Sequence, residues 1–100
     1  ALSQSKRLNS LVSLNLSQNN ITDAGAQALG RSQNLERLTT LNLNFNLIGD
    51  RGAKAIAESP RLAKLESLKL GQNKIGVEGA RALNESENLK NLTHPIFGFY

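Results

Sequence analysis

The chain reads itself at a fixed interval of 27 residues, and this periodicity limits its possible folds more than any other property. Leu14, Leu41 and Leu68 stand 27 apart, as do Asn19, Asn46 and Asn73, Ile21, Ile48 and Ile75, and Gly25, Gly52 and Gly79. A period of this length marks a stack of supersecondary units, each covering the apolar side of the next, rather than a domain built around one central core.

Three full units run over 11–37, 38–64 and 65–91, flanked by a partial unit at 1–10 and a divergent one at 92–100, and together they read as a single domain over 1–100. Each full unit opens Leu-x-x-Leu-x-Leu-x-x-Asn-x-Ile. The Leu-x-Leu core alternates with period two, which predicts a short strand with its leucines on one face. Gly25-Ala26-Gln27-Ala28-Leu29 and its counterparts starting at Gly52 and Gly79 predict a short helix packed against that strand. Asp23 and Asp50 stand just before the helix as expected N-caps, while the third copy has Val77. A serine recurs at 5, 32, 59 and 86, followed three residues later by Leu8, Leu35, Leu62 and Leu89. It reads equally as a backbone cap or as a small residue in a tight corner. A lone unit is not expected to fold, because ordering its backbone costs about 1–2 kcal/mol per residue and outweighs what its few large apolar side chains return.

This pattern resembles the leucine-rich repeats, and the Gly-Ala-x-Ala-Leu helix resembles their ribonuclease-inhibitor-like subclass. The resemblance covers about residues 1–92 and implies an α/β solenoid, a short right-handed horseshoe segment with a parallel sheet on its concave face and helices on its convex face. Asn19, Asn46 and Asn73 match the family's asparagine ladder, whose amides satisfy backbone groups where the chain leaves the sheet; buried turn backbone must find such partners. The concave strand residues of this family are its usual protein-binding surface. On this chain they are Asn15, Ser17 and Gln18, then Asn42, Asn44 and Phe45, then Lys69 and Gln72, with Ser13, Thr40, Ser67 and Gly71 between them. His94, Ile96 and Phe99 are expected to extend the face into a fourth strand starting at Leu92. Phe45 stands where the other units have Gln18 and Gln72, so it is the candidate anchor. Its alternative reading is local packing over the strand-to-loop corner.

Composition narrows the function further. The net charge is +4, yet basic and acidic residues alternate along the chain. Lys54 lies four residues before Glu58 and Arg81 four before Glu85, the spacing of solvated helix faces. Nucleic-acid binders concentrate their basic charge on one face, so nucleic acid is not the expected partner. No apolar run has the roughly 18 residues of a membrane span, and the first residues lack the apolar stretch of a signal peptide. The chain has no cysteine, which suits a reducing compartment and makes a cytoplasmic setting the expectation. His94 is the only histidine, the glycines form no phosphate loop, and no group of residues converges as a catalytic, metal or cofactor site would. Asn15, Asn20, Asn84 and Asn91 fit the glycosylation triplet, as chance allows in a chain rich in asparagine and serine.

The expected function is therefore a protein-protein interaction module, read as part of a longer repeat protein. Its alternatives are a regulator of an enzyme, since the resembled subclass includes ribonuclease inhibitors and GTPase-activating proteins, and a structural segment with no specific partner. Against ribonuclease inhibition, the concave face carries Lys69 as its one charge where an acidic face is needed. Self-association through apolar residues near the two ends, Leu2, Leu8, Phe97, Phe99 and Tyr100, is a further expectation.

Overall fold

The computed structural model describes residues 11–97, and within them strand, helix and return segment alternate three times. Strand β1 spans Ser13–Asn15, helix α1 Asp23–Arg31, β2 Thr40–Asn42, α2 Asp50–Ala57, β3 Ser67–Lys69 and α3 Val77–Asn84. Short 3-10 turns at Gln33–Leu35 and Pro60–Leu62 return the chain from α1 to β2 and from α2 to β3. The strands pair in parallel in the order β1-β2-β3, with Leu14, Leu41 and Leu68 as register partners. The register step equals the sequence period, so each strand residue lies beside its own counterpart in the next unit. The result is an α/β solenoid with an open sheet.

The core is a continuous apolar layer between sheet and helices. Leu38, Leu41, Leu43, Ile48, Ile56, Leu62, Leu65, Leu68 and Leu70 are fully buried, whereas Leu14, Leu16, Ile21 and Leu29 of the first unit are partly so. Burial is thus deepest in the middle unit, which has a full unit on either side. Each fully buried leucine or isoleucine contributes about 1.5–3 kcal/mol relative to exposure, and here that gain depends on the neighbouring unit.

Polar side chains join the units at fixed places, and two of them work differently from the expectation. Asp23 and Asp50 are the first helical residues, not the N-caps; the caps are Thr22 and Gly49, and neither supplies a side-chain bond. Each carboxylate instead serves the next helix. Asp23 Oδ1 accepts the N–H groups of Gly49 (2.6 Å) and Gly52 (3.0 Å), and Asp50 Oδ1 accepts those of Gly76 (2.7 Å) and Gly79 (3.1 Å). Two of the four orphan donors at a helix start are satisfied this way, by a negative charge at the positive end of the helix dipole. Val77 ends the column and is exposed.

The recurring serine is a cap between units. Ser59 Oγ donates to the carbonyl of Gly30 and Ser86 Oγ to that of Ala57, each in the last turn of the helix one unit earlier, α1 and α2. Ser32 Oγ is buried without a partner among the described residues. Lys54 pairs across units with Glu78 (3.8 Å) rather than with Glu58, and Arg61 with Glu36 (2.8 Å). Such exposed pairs are worth no more than about 1 kcal/mol each.

Past α3 the chain lies beside β3 without forming an assigned strand: Thr93 N donates to the Glu66 carbonyl (2.8 Å), and Leu70 N to that of Ile96 (3.1 Å). Ile96 was expected on the open face, but it is buried, and Phe97, in a leucine column, is 43% exposed. The bond from Leu70 N to the Ile96 carbonyl spans the same step as those from Leu16 to Asn42 and from Leu43 to Lys69, so the backbone keeps its register here while burial is exchanged: Pro95 and Phe97 are exposed and Ile96 is buried. Leu2, Leu8, Phe99 and Tyr100 lie outside the described residues.

Close packing of the helices sets the glycine column. A Cβ on Gly52 would stand 2.7 Å from Ile48 Cγ2, 2.8 Å from Asp23 Oδ1 and 3.0 Å from Ala26 Cβ. Gly52→Ala is therefore expected to lower stability by about 1–3 kcal/mol, by overpacking, although alanine is the better helix former by about 1 kcal/mol. Asp50→Ala is expected to cost about 0.5–2 kcal/mol, as loss of a helix cap does. Urea denaturation of the two variants checks both figures.

Candidate functional site

The strand register assembles the side chains that face away from the helices. Asn15, Asn42 and Lys69 are register partners and form one row across the sheet; Ser13, Thr40 and Ser67 form the row before it. Ser17, Asn44 and Gly71 follow, and Gln18, Phe45 and Gln72 occupy the corner where the chain leaves the sheet. Asn15, Gln18, Phe45 and Gln72 are exposed, and Ser17, Asn42, Asn44 and Lys69 are half-buried. Of the eight residues expected to contact a partner, Asn15, Asn42 and Lys69 share one row of the sheet, and the other five lie just beyond the strand ends.

The corner is held from below by the asparagine column. Asn46 is buried, and its Nδ2 donates to the carbonyls of Leu16 (3.0 Å), Leu43 (3.0 Å) and Asn44 (3.2 Å). Its Oδ1 accepts the N–H groups of Asn19 and Ile21, each at 2.9 Å. Asn73 repeats the arrangement one unit on, donating to Leu43, Leu70 and Gly71 and accepting from Ile48. Asn19 is exposed and donates to the Ser17 carbonyl (2.9 Å). Asn46 and Asn73 thus each satisfy backbone groups of two consecutive units, which water cannot reach in the buried case.

That corner also imposes an unusual backbone. Gln18, Phe45 and Gln72 have φ of 60°, 59° and 56°, in the left-handed region, and Asn20 joins them at 57°. For a bulky residue such a conformation costs on the order of 1–2 kcal/mol, and it persists where surrounding bonds determine it. The hydrogen bonds of the asparagine column supply that determination. The conformation turns the Phe45 ring outward, leaving the residue 52% exposed. Sequence reasoning missed this feature because neither glycine nor, at these three positions, asparagine marks it.

Two further hydrogen bonds tie the face to itself. Asn42 Oδ1 accepts the Asn44 N–H (3.0 Å), and Asn44 Oδ1 accepts the Gly71 N–H of the next strand (2.7 Å). On the opposite side of the solenoid, an open groove of about 510 Å³ between α1 and α2 is lined by Arg31, Arg51, Lys54, Glu58 and Arg61, among others. Neither surface holds a set of three or more metal-ligating side chains among the described residues. No helix there is long and apolar enough to cross a membrane.

A family model described as Leucine Rich repeat matches residues 7–30, 34–57 and 61–83. The three matches begin 27 residues apart, in step with the observed register. No curated protein matches the chain significantly.

Asn46→Leu is expected to destabilise the chain by at least about 3 kcal/mol, since it removes one partner from several buried backbone groups at about 1–3 kcal/mol for each left unsatisfied. Phe45→Asn, which suits a positive φ, is expected to keep stability or raise it by up to about 1 kcal/mol. Thermal melts of both variants test the contrast; a large loss for Phe45→Asn would place Phe45 in the packing instead.

Proposed function

The chain belongs to the leucine-rich repeat family, and from that premise we propose that it is a protein-binding module that seats its partner on the concave sheet face. Repeats of this family generally mediate protein-protein interaction. The observation that carries the reading for this chain is Phe45, a half-exposed aromatic in a strained backbone conformation at the corner of a polar face, in the middle unit. Core packing gives no reason for an aromatic there, and a rigid aromatic ringed by polar groups is the usual form of an interface hot spot.

The surrounding residues suit that role. Asn15, Asn42, Asn44, Ser17, Gln18 and Gln72 offer hydrogen-bonding groups around the ring, and Lys69 adds a charge on the same face. Direct hydrogen bonds of this kind fix orientation, while the buried aromatic supplies most of the affinity. The ribonuclease-inhibitor-like subclass is part of the proposal, supported by the 27-residue period and by a helix of 8 or 9 residues in every described unit. The absence of cysteine from the sequence supports a reducing, cytoplasmic setting.

Affinity capture with the chain as bait, repeated with a triple variant carrying Asn42→Ala, Phe45→Ala and Lys69→Ala, tests the reading. Proteins retained by the wild type are expected to be lost with the triple variant and kept with Arg51→Ala on the convex side. Phe45→Ala alone is expected to weaken a captured partner at least about 10-fold, the scale of a hot-spot residue. Partners that survive the triple variant refute concave-face binding, provided circular dichroism shows the variant folded.

A further inference from the structure

We propose that the concave face selects an acidic peptide segment, because the carboxamides of Asn15, Asn42 and Asn44 are fixed with their acceptors turned inward and their donors turned outward. This rests on the concave-face reading above and adds the chemistry of the partner.

The orientation of each amide follows from its internal bonds. Asn15 Oδ1 accepts both the N–H (3.0 Å) and the hydroxyl (2.8 Å) of Ser17. Asn42 Oδ1 accepts the Asn44 N–H (3.0 Å), and Asn44 Oδ1 accepts the Gly71 N–H (2.7 Å). An N–H can be met by the oxygen of a carboxamide but not by its nitrogen, so flipping any of these amides would set donor against donor. The Nδ2 groups of Asn15, Asn42 and Asn44 donate to nothing among the described residues. They are left for a partner.

The rows extend this polarity across the sheet. Asn15 and Asn42 are register partners on neighbouring strands, hence about 4.8 Å apart. Lys69 is the next residue in the same row and carries a positive charge. From Ser13 to Gln18, Thr40 to Phe45 and Ser67 to Gln72 there is no aspartate or glutamate. Glu66, one residue before β3, is exposed outside the row.

A carboxylate is the group that answers this arrangement. It only accepts, its two oxygens can take hydrogen bonds from neighbouring amides at once, and it is attracted to Lys69. A lysine or arginine side chain would present donors to donors and repel Lys69. The chain's net charge of +4 further favours the approach of an acidic segment.

The test titrates the isotope-labelled whole chain with three synthetic peptides of equal length, rich in glutamate, glutamine or lysine. The glutamate peptide is expected to shift the side-chain amide signals of Asn15, Asn42 and Asn44, with an affinity that falls as salt rises. Asn42→Asp and Asn44→Asp keep an inward oxygen for the same backbone N–H and replace the outward amine with an oxygen. Together they are expected to weaken glutamate-peptide binding at least about 10-fold, and to create binding of the lysine peptide. The proposal is overturned if the face takes the glutamine or lysine peptide as tightly as the glutamate one. It is also overturned if the glutamate peptide shifts only Arg31, Arg51 and Arg61 in the convex groove, or shifts nothing at millimolar concentration. None of these results touches concave-face binding itself, which the capture experiment decides separately.

Discussion

A buried carboxamide that belongs to one unit and satisfies the backbone of another is the constraint on which this structure turns. Asn46 takes two N–H groups from the unit before it and gives its own hydrogens to carbonyls on both sides of the boundary. Without it, the tight corner after β1 would bury polar groups with no partner, at about 1–3 kcal/mol for each. The corners after β1 and β2 are thus completed by the following unit. The aspartates work in the other direction, from the first turn of one helix to the start of the next. The serines close the far end, reaching back to the last turn of the helix one unit earlier. Both boundaries between the three described full units therefore carry polar links at corner, helix start and helix end around a shared apolar layer. Stability resides in the boundaries, and a unit is only as stable as its neighbours make it.

Much of this was legible in the sequence, and what was hidden shares one cause. The leucine, isoleucine and alanine columns gave strand, helix and core directly, because burial follows the local period of two or 3.6. Asp23 misled because N-cap reasoning looks for a donor within three residues, whereas its donors lie 26 and 29 residues on. The serines were ambiguous for the same reason, with acceptors 29 residues back. Side chains that act across a repeat boundary leave no local pattern, only a column. The reversal at Ile96 and Phe97 escaped because the column rule reads burial from register alone, and here the backbone pairing keeps its step while burial is exchanged.

The corner at Gln18, Phe45 and Gln72 was hidden more deeply. Left-handed backbone is read from glycine or asparagine, and here glutamine and phenylalanine adopt it. What permits them is the ladder beneath, which fixes the backbone so firmly that the residue above is free to vary. Scaffold and specificity are therefore adjacent in sequence. Asn46 determines the conformation, and Phe45, one residue before it, displays a ring because of that conformation.

The same logic explains why the open face has a definite chemical polarity even though no charge pattern announced it. Exposed asparagines are usually taken as neutral groups that donate and accept equally. On this sheet they do not, because the backbone N–H groups after β1 and β2, and the one after β3, have already claimed the oxygens. A composition of asparagine, serine and glutamine looks indifferent to the sign of its partner, but the hydrogen bonds that shape the corners leave the amines of Asn15, Asn42 and Asn44 to the outside. The fold thus converts a neutral surface into one with a preference, and it does so with the same side-chain-to-backbone bonds that hold the units in register.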